Sequence, residues 1–232
     1  MSKPNIQRNY NLNKINKIIL PKLKHELKVY SVYFLVTAVL MTSLFAFGRN
    51  FALAQVEIQG DSMLPAFQTS DQIYIDKLSP HFSSYRRGEI VVLLPDKKCD
   101  PKEDLFIKRI IGLPGEQVIF DKGSVYILNP QVSDKPIKLD EESYLPNDTK
   151  TYKQTPLNLA NQGEINKLEQ VVEPVLLPDT YYFLGDNRNN SLDARKCGAV
   201  GKNQILGREY YKIKPDNKRG YANLPMYKNL PE

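Results

Sequence analysis

A stretch of twenty residues without a charged side chain, residues 29–48, is the feature that most restricts how this chain can fold. As an α-helix it would be about 30 Å long, which matches the hydrocarbon thickness of a bilayer. The stretch is apolar on all faces, and no later apolar run has a comparable length. The sequence therefore predicts one transmembrane helix rather than a buried core helix.

The basic side chains are concentrated ahead of this stretch. Residues 1–28 carry seven Lys or Arg and one Glu, which accounts for the formal net charge of +6. Positive charge before a span predicts a cytoplasmic N-terminus. We therefore predict a basic cytoplasmic tail at 1–28, a transmembrane anchor at 29–48 and an extracytoplasmic domain at 50–232. Because that domain is close to neutral, we expect no nucleic-acid partner.

The residues after the span leave an alternative open. Ala52-Leu53-Ala54 has the small-x-small form of a signal-peptide cleavage site. A cleavable signal usually has a shorter apolar region, of about 7–15 residues, so a permanent anchor is favoured. Both alternatives send residues 50–232 across the membrane, and self-cleavage after Ala54 stays open.

The rest of the chain consists of short apolar segments broken by turns, which is typical of antiparallel β structure. Residues 129–178 are polar and rich in Asn, Gln and Pro. We predict a mainly β fold: an antiparallel β-sheet or barrel domain with a loop-rich insertion at about 129–178, preceded by one transmembrane α-helix. The predicted strands are 56–58, 72–76, 89–94, 105–111, 117–120, 124–128, 180–184 and 205–213.

Histidine and cysteine are too scarce for several kinds of active site. The chain has two His and two Cys, far apart in sequence, so they form no zinc set and we expect no metal and no cofactor. His25 precedes the span and His81 lies in a turn context, so a Ser-His-Asp triad is poorly supported. The base that remains for a hydrolytic site is lysine.

Lys108 lies in a segment that predicts a β-strand. Strand geometry places it between Phe106 and Ile110 on one face. Apolar neighbours disfavour the ammonium form and lower the pKa of the lysine, as a general base requires. The ordinary alternative is a lysine on a half-buried strand whose amine extends to solvent.

Three motifs occur in order behind the span: SMLP at 62–65, FIKRIIGLPGE at 106–116 and LGDNRNNSLDAR at 184–195. Each is weak alone, since the segments around Ser62 and Ser191 could be simple turns. Together they resemble the nucleophile box, the lysine box and the third signature of type I signal peptidases. These are bacterial-type leader peptidases with a Ser/Lys dyad, peptidase family S26.

This resemblance implies a role for individual residues. Ser62 would be the nucleophile and Lys108 the general base, with Ser191 bonded to Lys108. Asp186, Asp193 and Arg195 would form a supporting ion-pair shell. The residues implied to line the substrate groove are Ile58, Gln59, Met63, Phe106 and Ile107.

Two positions depart from the family pattern. Gly60 stands where some members place a second oxyanion donor, and Ala194 replaces a common serine. Cys99 and Cys197 fall in the predicted exported domain, where oxidation is possible. A bond between them that braces the site and two separate thiols both stay open.

The implied function is a membrane-bound serine endopeptidase that removes N-terminal signal peptides from exported preproteins. It would cleave after small residues in an Ala-x-Ala pattern. The implied location is the plasma (inner) membrane, with a single pass, and the implied partners are preproteins and the lipid bilayer. The alternatives are a catalytically silent relative that binds signal peptides or scaffolds an export complex, and a protease that cleaves only itself.

Overall fold

The computed structural model describes residues 20–102, 104–153, 170–213, 219–220, 225 and 227. The chain divides into two compact units, residues 1–50 and 51–232. The first unit contains most of helix α1 (Leu20–Ala52), which is longer at both ends than the charge-free stretch. Residues Leu20–Gly48 of α1 are long and apolar enough to cross a membrane.

Three hydroxyl side chains of α1 are bonded within the helix. The hydroxyls of Thr37 and Thr42 donate to carbonyls one turn earlier, Tyr33 and Ala38 respectively, both at 2.9 Å. The Ser31 hydroxyl donates to Lys28 in the same way. Such local bonds satisfy hydroxyl groups where water is absent, so these residues are compatible with a membrane span.

The second unit is built on antiparallel β-sheets, as the predicted fold class requires. One sheet has the order β1-β2-β11-β3-β4-β9-β10, with β12 paired to β11, and the other has the order β7-β6-β5-β8. The strands are β1 (Leu53–Glu57), β2 (Gln72–Asp76), β3 (Ile90–Leu93), β4 (Phe106–Gly112), β5 (Gln117–Asp121), β6 (Ser124–Leu128), β7 (Ile137–Lys138), β8 (Val171–Val172), β9 (Thr180–Leu184), β10 (Val200–Gly201), β11 (Ile205–Ile213) and β12 (Arg219–Gly220). Among its described residues the unit also has three short helical turns: 3₁₀ turns at Ser79–His81 and Lys202–Gln204, and helix α2 (Ala194–Cys197).

The polar excursion contributes to a sheet. Its two short strands, β7 and β8, form the outer strands of the second sheet, on β6 and β5 respectively. Sequence patterning missed them because a two-residue strand has no measurable alternation. The central part of the excursion, residues 154–169, lies outside the described residues.

Two apolar clusters lie on opposite sides of strand β3. All four residues of β3 are buried; Val91 and Leu93 belong to the larger cluster, while Ile90 and Val92 belong to the smaller one. Successive side chains of a strand point to opposite faces, so a central strand with an unbroken apolar run serves both clusters. Strand β4 pairs with β3 and contributes to both clusters as well. This places β4 at the centre of the unit.

A disulfide connects two segments that flank the central strands. Cys99, in the loop between β3 and β4, is bonded to Cys197 of α2, with 5.0 Å between the Cα atoms and 98 residues between them in sequence. Closing so long a loop removes conformational entropy from the unfolded chain.

The double variant Cys99→Ser/Cys197→Ser should therefore have a free energy of unfolding about 2–5 kcal/mol lower than that of the oxidised protein. Urea denaturation in detergent, followed by circular dichroism, measures the difference. Wild type treated with a reductant should behave like the double variant, and the reductant should leave the double variant unchanged. Equal denaturation midpoints for oxidised and reduced wild type would contradict this expectation.

Candidate active site

Ser62 lies in the turn between β1 and β2. Gly60 makes the bend after the buried Ile58, with a φ of +82° that favours glycine. Met63, which is 1% exposed, fixes the other side of the turn in the smaller apolar cluster. The Leu64-Pro65 peptide bond is cis. Ser62 is therefore held between two buried side chains while remaining partly exposed itself.

Lys108 reaches Ser62 from the central strand β4. Its Nζ lies 2.7 Å from Ser62 Oγ and 2.8 Å from the carbonyl oxygen of Ile107. The lysine is only 3% exposed, and Nζ lies 4.9 Å from the centre of the Phe106 ring. The structure thus brings together the serine and the lysine that the sequence motifs single out.

Burial changes the protonation of Lys108. Desolvation lowers its pKa from 10.5 to about 8, and the negative charges of Asp193 and Asp186 oppose this shift without cancelling it. An amine with a pKa of about 8 is neutral in a substantial fraction of molecules at mildly alkaline pH. Such an amine can accept the proton of a serine hydroxyl that lies within hydrogen-bond distance.

Ser191 lies beside this pair but does not bond to Lys108. Its Oγ is buried and has no hydrogen-bond partner among the described residues. A Cβ atom on Gly185 would come within 2.1 Å of Ser191 Oγ and 2.5 Å of the Ser62 carbonyl oxygen. Glycine is therefore required at position 185, where the loop that carries Ser191 passes close to the Ser62 backbone. The bond from Ser191 to Lys108 that the resemblance implies is not formed in this structure.

The acidic residues of the expected ion-pair shell form two separate ion pairs. Asp193 pairs with Arg195, with its Oδ1 2.9 Å from Nε and its Oδ2 2.9 Å from Nη2. Asp193 also caps α2 and accepts the Gly185 N–H at 3.0 Å. Asp186 pairs instead with Arg109, at 2.8 and 2.6 Å. Arg109 follows Lys108 on β4 and points to the other side of the strand.

Arg188 is a second buried arginine that sequence reasoning missed. Its Nε donates to the Gly185 carbonyl at 3.0 Å, and its Nη1 donates to Thr151 Oγ1 at 2.6 Å. Both terminal nitrogens bond to the carboxylate of Glu141. Arg188 lies inside the third motif, which was the available signal. Its side-chain partners, Glu141 and Thr151, come from the excursion and could not be read from the motif. The excursion is thus tied to the loop at 185–191.

That loop also holds the backbone of the serine turn. The N–H of Asn187 donates to the Ser62 carbonyl at 3.0 Å, and its side-chain amide donates to the Asp61 carbonyl at 3.0 Å. Asn187 was not predicted as a site residue, although it also lies inside the third motif.

The residues implied to line a groove divide into two groups. Ile58, Met63 and Ile107 are buried together in the smaller apolar cluster. Gln59 is exposed and Phe106 is half-buried against the larger cluster. Only the second group presents much surface in this structure, and the first group forms the packing beneath the serine turn. Within the part of the chain that the structure describes, no cluster of three or more His, Cys, Asp or Glu side chains could hold a metal ion.

A serine hydroxyl in contact with a buried lysine amine is typical of serine hydrolases in which lysine replaces histidine as the base. Comparison with known proteins agrees with this class. Residues 30–213 match the family described as signal peptidase, peptidase S26. The signal peptidase I of Leptolyngbya laminosa is 34% identical over 181 residues, covering 76% of each chain.

Two further relatives illustrate the range of similarity. Signal peptidase I S of Bacillus subtilis is 32% identical over 177 residues, covering 75% of this chain and 84% of the relative. A crystal structure of a signal peptidase I from Enterococcus faecalis is 22% identical, with a TM-score of 0.36, covering 54% of this chain and 97% of that chain. On the family match and the sequence identities, the chain belongs to the signal peptidase, peptidase S26 family, and is a serine peptidase.

The Glu141–Arg188 pair generates a prediction about stability. Glu141→Gln would leave the Arg188 guanidinium buried without its counter-ion, so the free energy of unfolding should fall by about 3 kcal/mol. Urea denaturation in detergent measures this loss. Glu142→Gln is the matched control, because Glu142 is the adjacent residue and is exposed. Equal stability of the two variants would mean that the buried pair contributes nothing.

Proposed function

We propose that this protein is a membrane-anchored serine endopeptidase that removes N-terminal signal peptides from exported preproteins. Ser62 is the nucleophile and Lys108 is the general base. The observation that carries the proposal is the 2.7 Å distance between Lys108 Nζ and Ser62 Oγ, with the amine buried. Family membership supports the reaction class, and the geometry supports the residue roles.

Acylation begins with the neutral form of Lys108. Nζ accepts the Ser62 hydroxyl proton as Oγ attacks the scissile carbonyl carbon, and the protonated amine then donates that proton to the leaving amino group. In deacylation, Nζ accepts a proton from water as the hydroxyl attacks the ester, and Oγ recovers its proton from Lys108. The Ile107 carbonyl accepts a hydrogen bond from Nζ throughout and keeps it directed at Ser62.

Charge on the tetrahedral intermediate requires main-chain stabilisation. The Ser62 N–H donates to the oxyanion. Gly60 has no hydroxyl, and a Cβ at that position would contact nothing within 4 Å, so its side of the turn faces open space. A substrate backbone can approach the serine from this side.

The remaining predicted residues act through packing and charge. Ser191 and Gly185 limit the space beside Ser62, and the ion pairs of Asp186 and Asp193 hold the loop that bears them. Gln59 and Phe106 line the groove, with Ile58, Met63 and Ile107 beneath it. Close packing below the serine leaves little room for a large side chain next to the scissile bond. We therefore propose cleavage after small residues in an Ala-x-Ala pattern.

Helix α1 is the proposed anchor, in the plasma (inner) membrane. The basic segment before it places the N-terminus in the cytoplasm, and residues 50–232 lie on the outer side. A preprotein would keep its hydrophobic segment in lipid while the extended segment behind it enters the groove. The partners of the enzyme are therefore preproteins and the lipid bilayer.

The alternatives are less well supported. A silent binding relative has no need of a buried lysine with a depressed pKa in contact with a serine hydroxyl. For a protease that cleaves only itself, the bond after Ala54 would have to reach Ser62. Ala54 and Gln55 pair with Ile75 and Tyr74 in the β1–β2 ladder, so this bond would have to leave the sheet first.

The dyad predicts the activity of three variants. Ser62→Ala and Lys108→Ala should each lower kcat by at least about a thousandfold on a preprotein with an Ala-x-Ala site. Lys108→Arg should not restore cleavage, because arginine remains protonated. Gel analysis of cleavage in detergent measures these rates, and the exposed Lys98, as Lys98→Ala, is the control. Appreciable cleavage by Lys108→Ala would refute the dyad, and a folded but inactive wild type would favour the silent relative.

The pKa of Lys108 predicts a pH profile. The neutral amine increases as pH rises through about 8, so kcat/KM of the free enzyme should increase over the same interval. Asp193→Asn removes the charge that most strongly raises this pKa, so the ascending limb should move to lower pH. Asp134→Asn, at an exposed position in the excursion, should leave the limb in place. An unshifted or oppositely shifted limb in Asp193→Asn would exclude Lys108 as the titrating base.

A further inference from the structure

A group of buried charged side chains lies beneath the turn that carries Ser62 and takes no part in the dyad. Strand β11 contributes Glu209 and Lys212, which pair with Ile75 and Ile73 of β2 respectively. Both isoleucines belong to the smaller apolar cluster, so the two charged side chains face the cluster that packs under the serine. The proposed reaction uses neither residue, so their burial needs an explanation of its own.

Lys212 holds residues 58–71, the segment between β1 and β2, called here the nucleophile segment. Its ammonium donates to the Ala66 carbonyl and lies 4.1 Å from the centre of the Phe67 ring. It also pairs with Asp71, with 2.8 Å between Nζ and Oδ2. One ammonium therefore contacts both the middle and the end of the nucleophile segment.

Asp71 closes the nucleophile segment. Its Oδ2 accepts the Gln68 N–H at 3.1 Å, and its main-chain carbonyl accepts the Ile58 N–H at 2.8 Å. Ser62 lies between these two ends of the segment. The position of the serine hydroxyl therefore depends on the ion pair between Lys212 and Asp71.

Glu209 is the member of this group that lacks a partner. It is 8% exposed, and neither of its carboxylate oxygens has a hydrogen-bond partner among the described residues. Desolvation raises its pKa from 4.5 to about 7. Lys212 and Arg109 oppose this rise, and Asp186 adds to it. A carboxyl group without a partner in an apolar cluster is favoured in its neutral form.

The charges around Glu209 come from four parts of the fold. Lys212 follows it on β11, and Asp71 directly precedes β2. Arg109 lies on β4 and Asp186 in the loop after β9, whereas strand β3 has no charged residue. Arg109 is paired with Asp186, and Lys212 is paired with Asp71. Ionisation of Glu209 therefore adds one negative charge to two pairs that are already balanced.

We infer that Lys212 is a positioning residue for Ser62 and that ionised Glu209 draws it away from the nucleophile segment. A carboxylate binds an ammonium more strongly than a carbonyl does, so ionised Glu209 competes with the Ala66 carbonyl for Lys212. Neutral Glu209 does not compete, and the contacts of Lys212 are then kept. Ionisation thus weakens the hold on Ser62 and lowers kcat at alkaline pH. The inference deepens the proposed function and rests on it.

The pH profile of Glu209→Gln tests the inference, because glutamine carries no charge at any pH. Below about pH 6 the variant and wild type should cleave a preprotein at similar rates, since position 209 is neutral in both. Above about pH 8 the kcat of the variant should be about two- to tenfold higher, the effect of keeping one hydrogen bond. KM should change little, because Glu209 is buried away from substrate. Glu209→Met, which has a similar size and no charge, should give the same ratio.

The action through Lys212 is tested in a background without its ion pair. Lys212→Met/Asp71→Asn removes both charges and should lower kcat at every pH. In this background Glu209→Gln should not increase kcat. Lys212→Arg should retain most of the rate at acidic pH, because a guanidinium can donate to the same two acceptors. An equal increase from Glu209→Gln with and without Lys212 would overturn the inference.

Protein stability gives an independent check that Glu209 titrates. Its pKa in the folded protein lies above the unfolded value, so its contribution to stability is complete below about pH 4.5 and is lost as pH rises through about 7. The urea midpoint of wild type should fall relative to that of Glu209→Met over this interval. The difference between wild type and Glu142→Gln, at an exposed position, should stay constant. A constant difference for Glu209→Met as well would show that Glu209 does not ionise there, and the inference would fail.

The dyad variants separate failure of this inference from failure of the proposed function. A wild type that does not cleave preprotein would refute both. Cleavage that requires Ser62 and Lys108, with the same alkaline kcat in wild type, Glu209→Gln and Glu209→Met, would refute only the role of Glu209.

Discussion

The burial of one amine is the constraint on which the rest of the structure depends. Moving the pKa of Lys108 from 10.5 to about 8 corresponds to about 3 kcal/mol of disfavoured charge, which the packing around β4 must supply. The strand provides this environment because it lies centrally in its sheet, between β3 and β9, and contributes to both apolar clusters. A lysine on an edge strand would reach water and would keep a pKa near its ordinary value.

Two carboxylates near Lys108 act against the effect of burial on its pKa. Asp193 and Asp186 both raise its pKa, yet each already bonds to an arginine, Arg195 and Arg109 respectively. Desolvation nevertheless remains the dominant effect on the amine. The ion pairs hold the loop that carries both carboxylates, and the carboxylates moderate the pKa shift that burial produces.

The excursion is part of the same arrangement. Glu141 binds Arg188, Arg188 binds the Gly185 carbonyl, and Asn187 of that loop bonds to the Ser62 backbone. The excursion is polar and its sequence shows little hydrophobic periodicity. It nevertheless provides Glu141, the first residue in a series of contacts that ends at the backbone of Ser62. Its two short strands extend the second sheet.

Local patterns in the sequence determined the helix long enough to span a membrane, the antiparallel β class and the strand that carries Lys108, because charge-free length and alternation are properties of neighbouring residues. The motifs also led to Ser62 and Lys108. Only the tertiary structure decided that Asp186 pairs with Arg109, that Arg188 pairs with Glu141, and that Ser191 Oγ does not bond to Lys108. These contacts depend on strand register and loop paths between distant residues, which periodicity along a single chain does not encode.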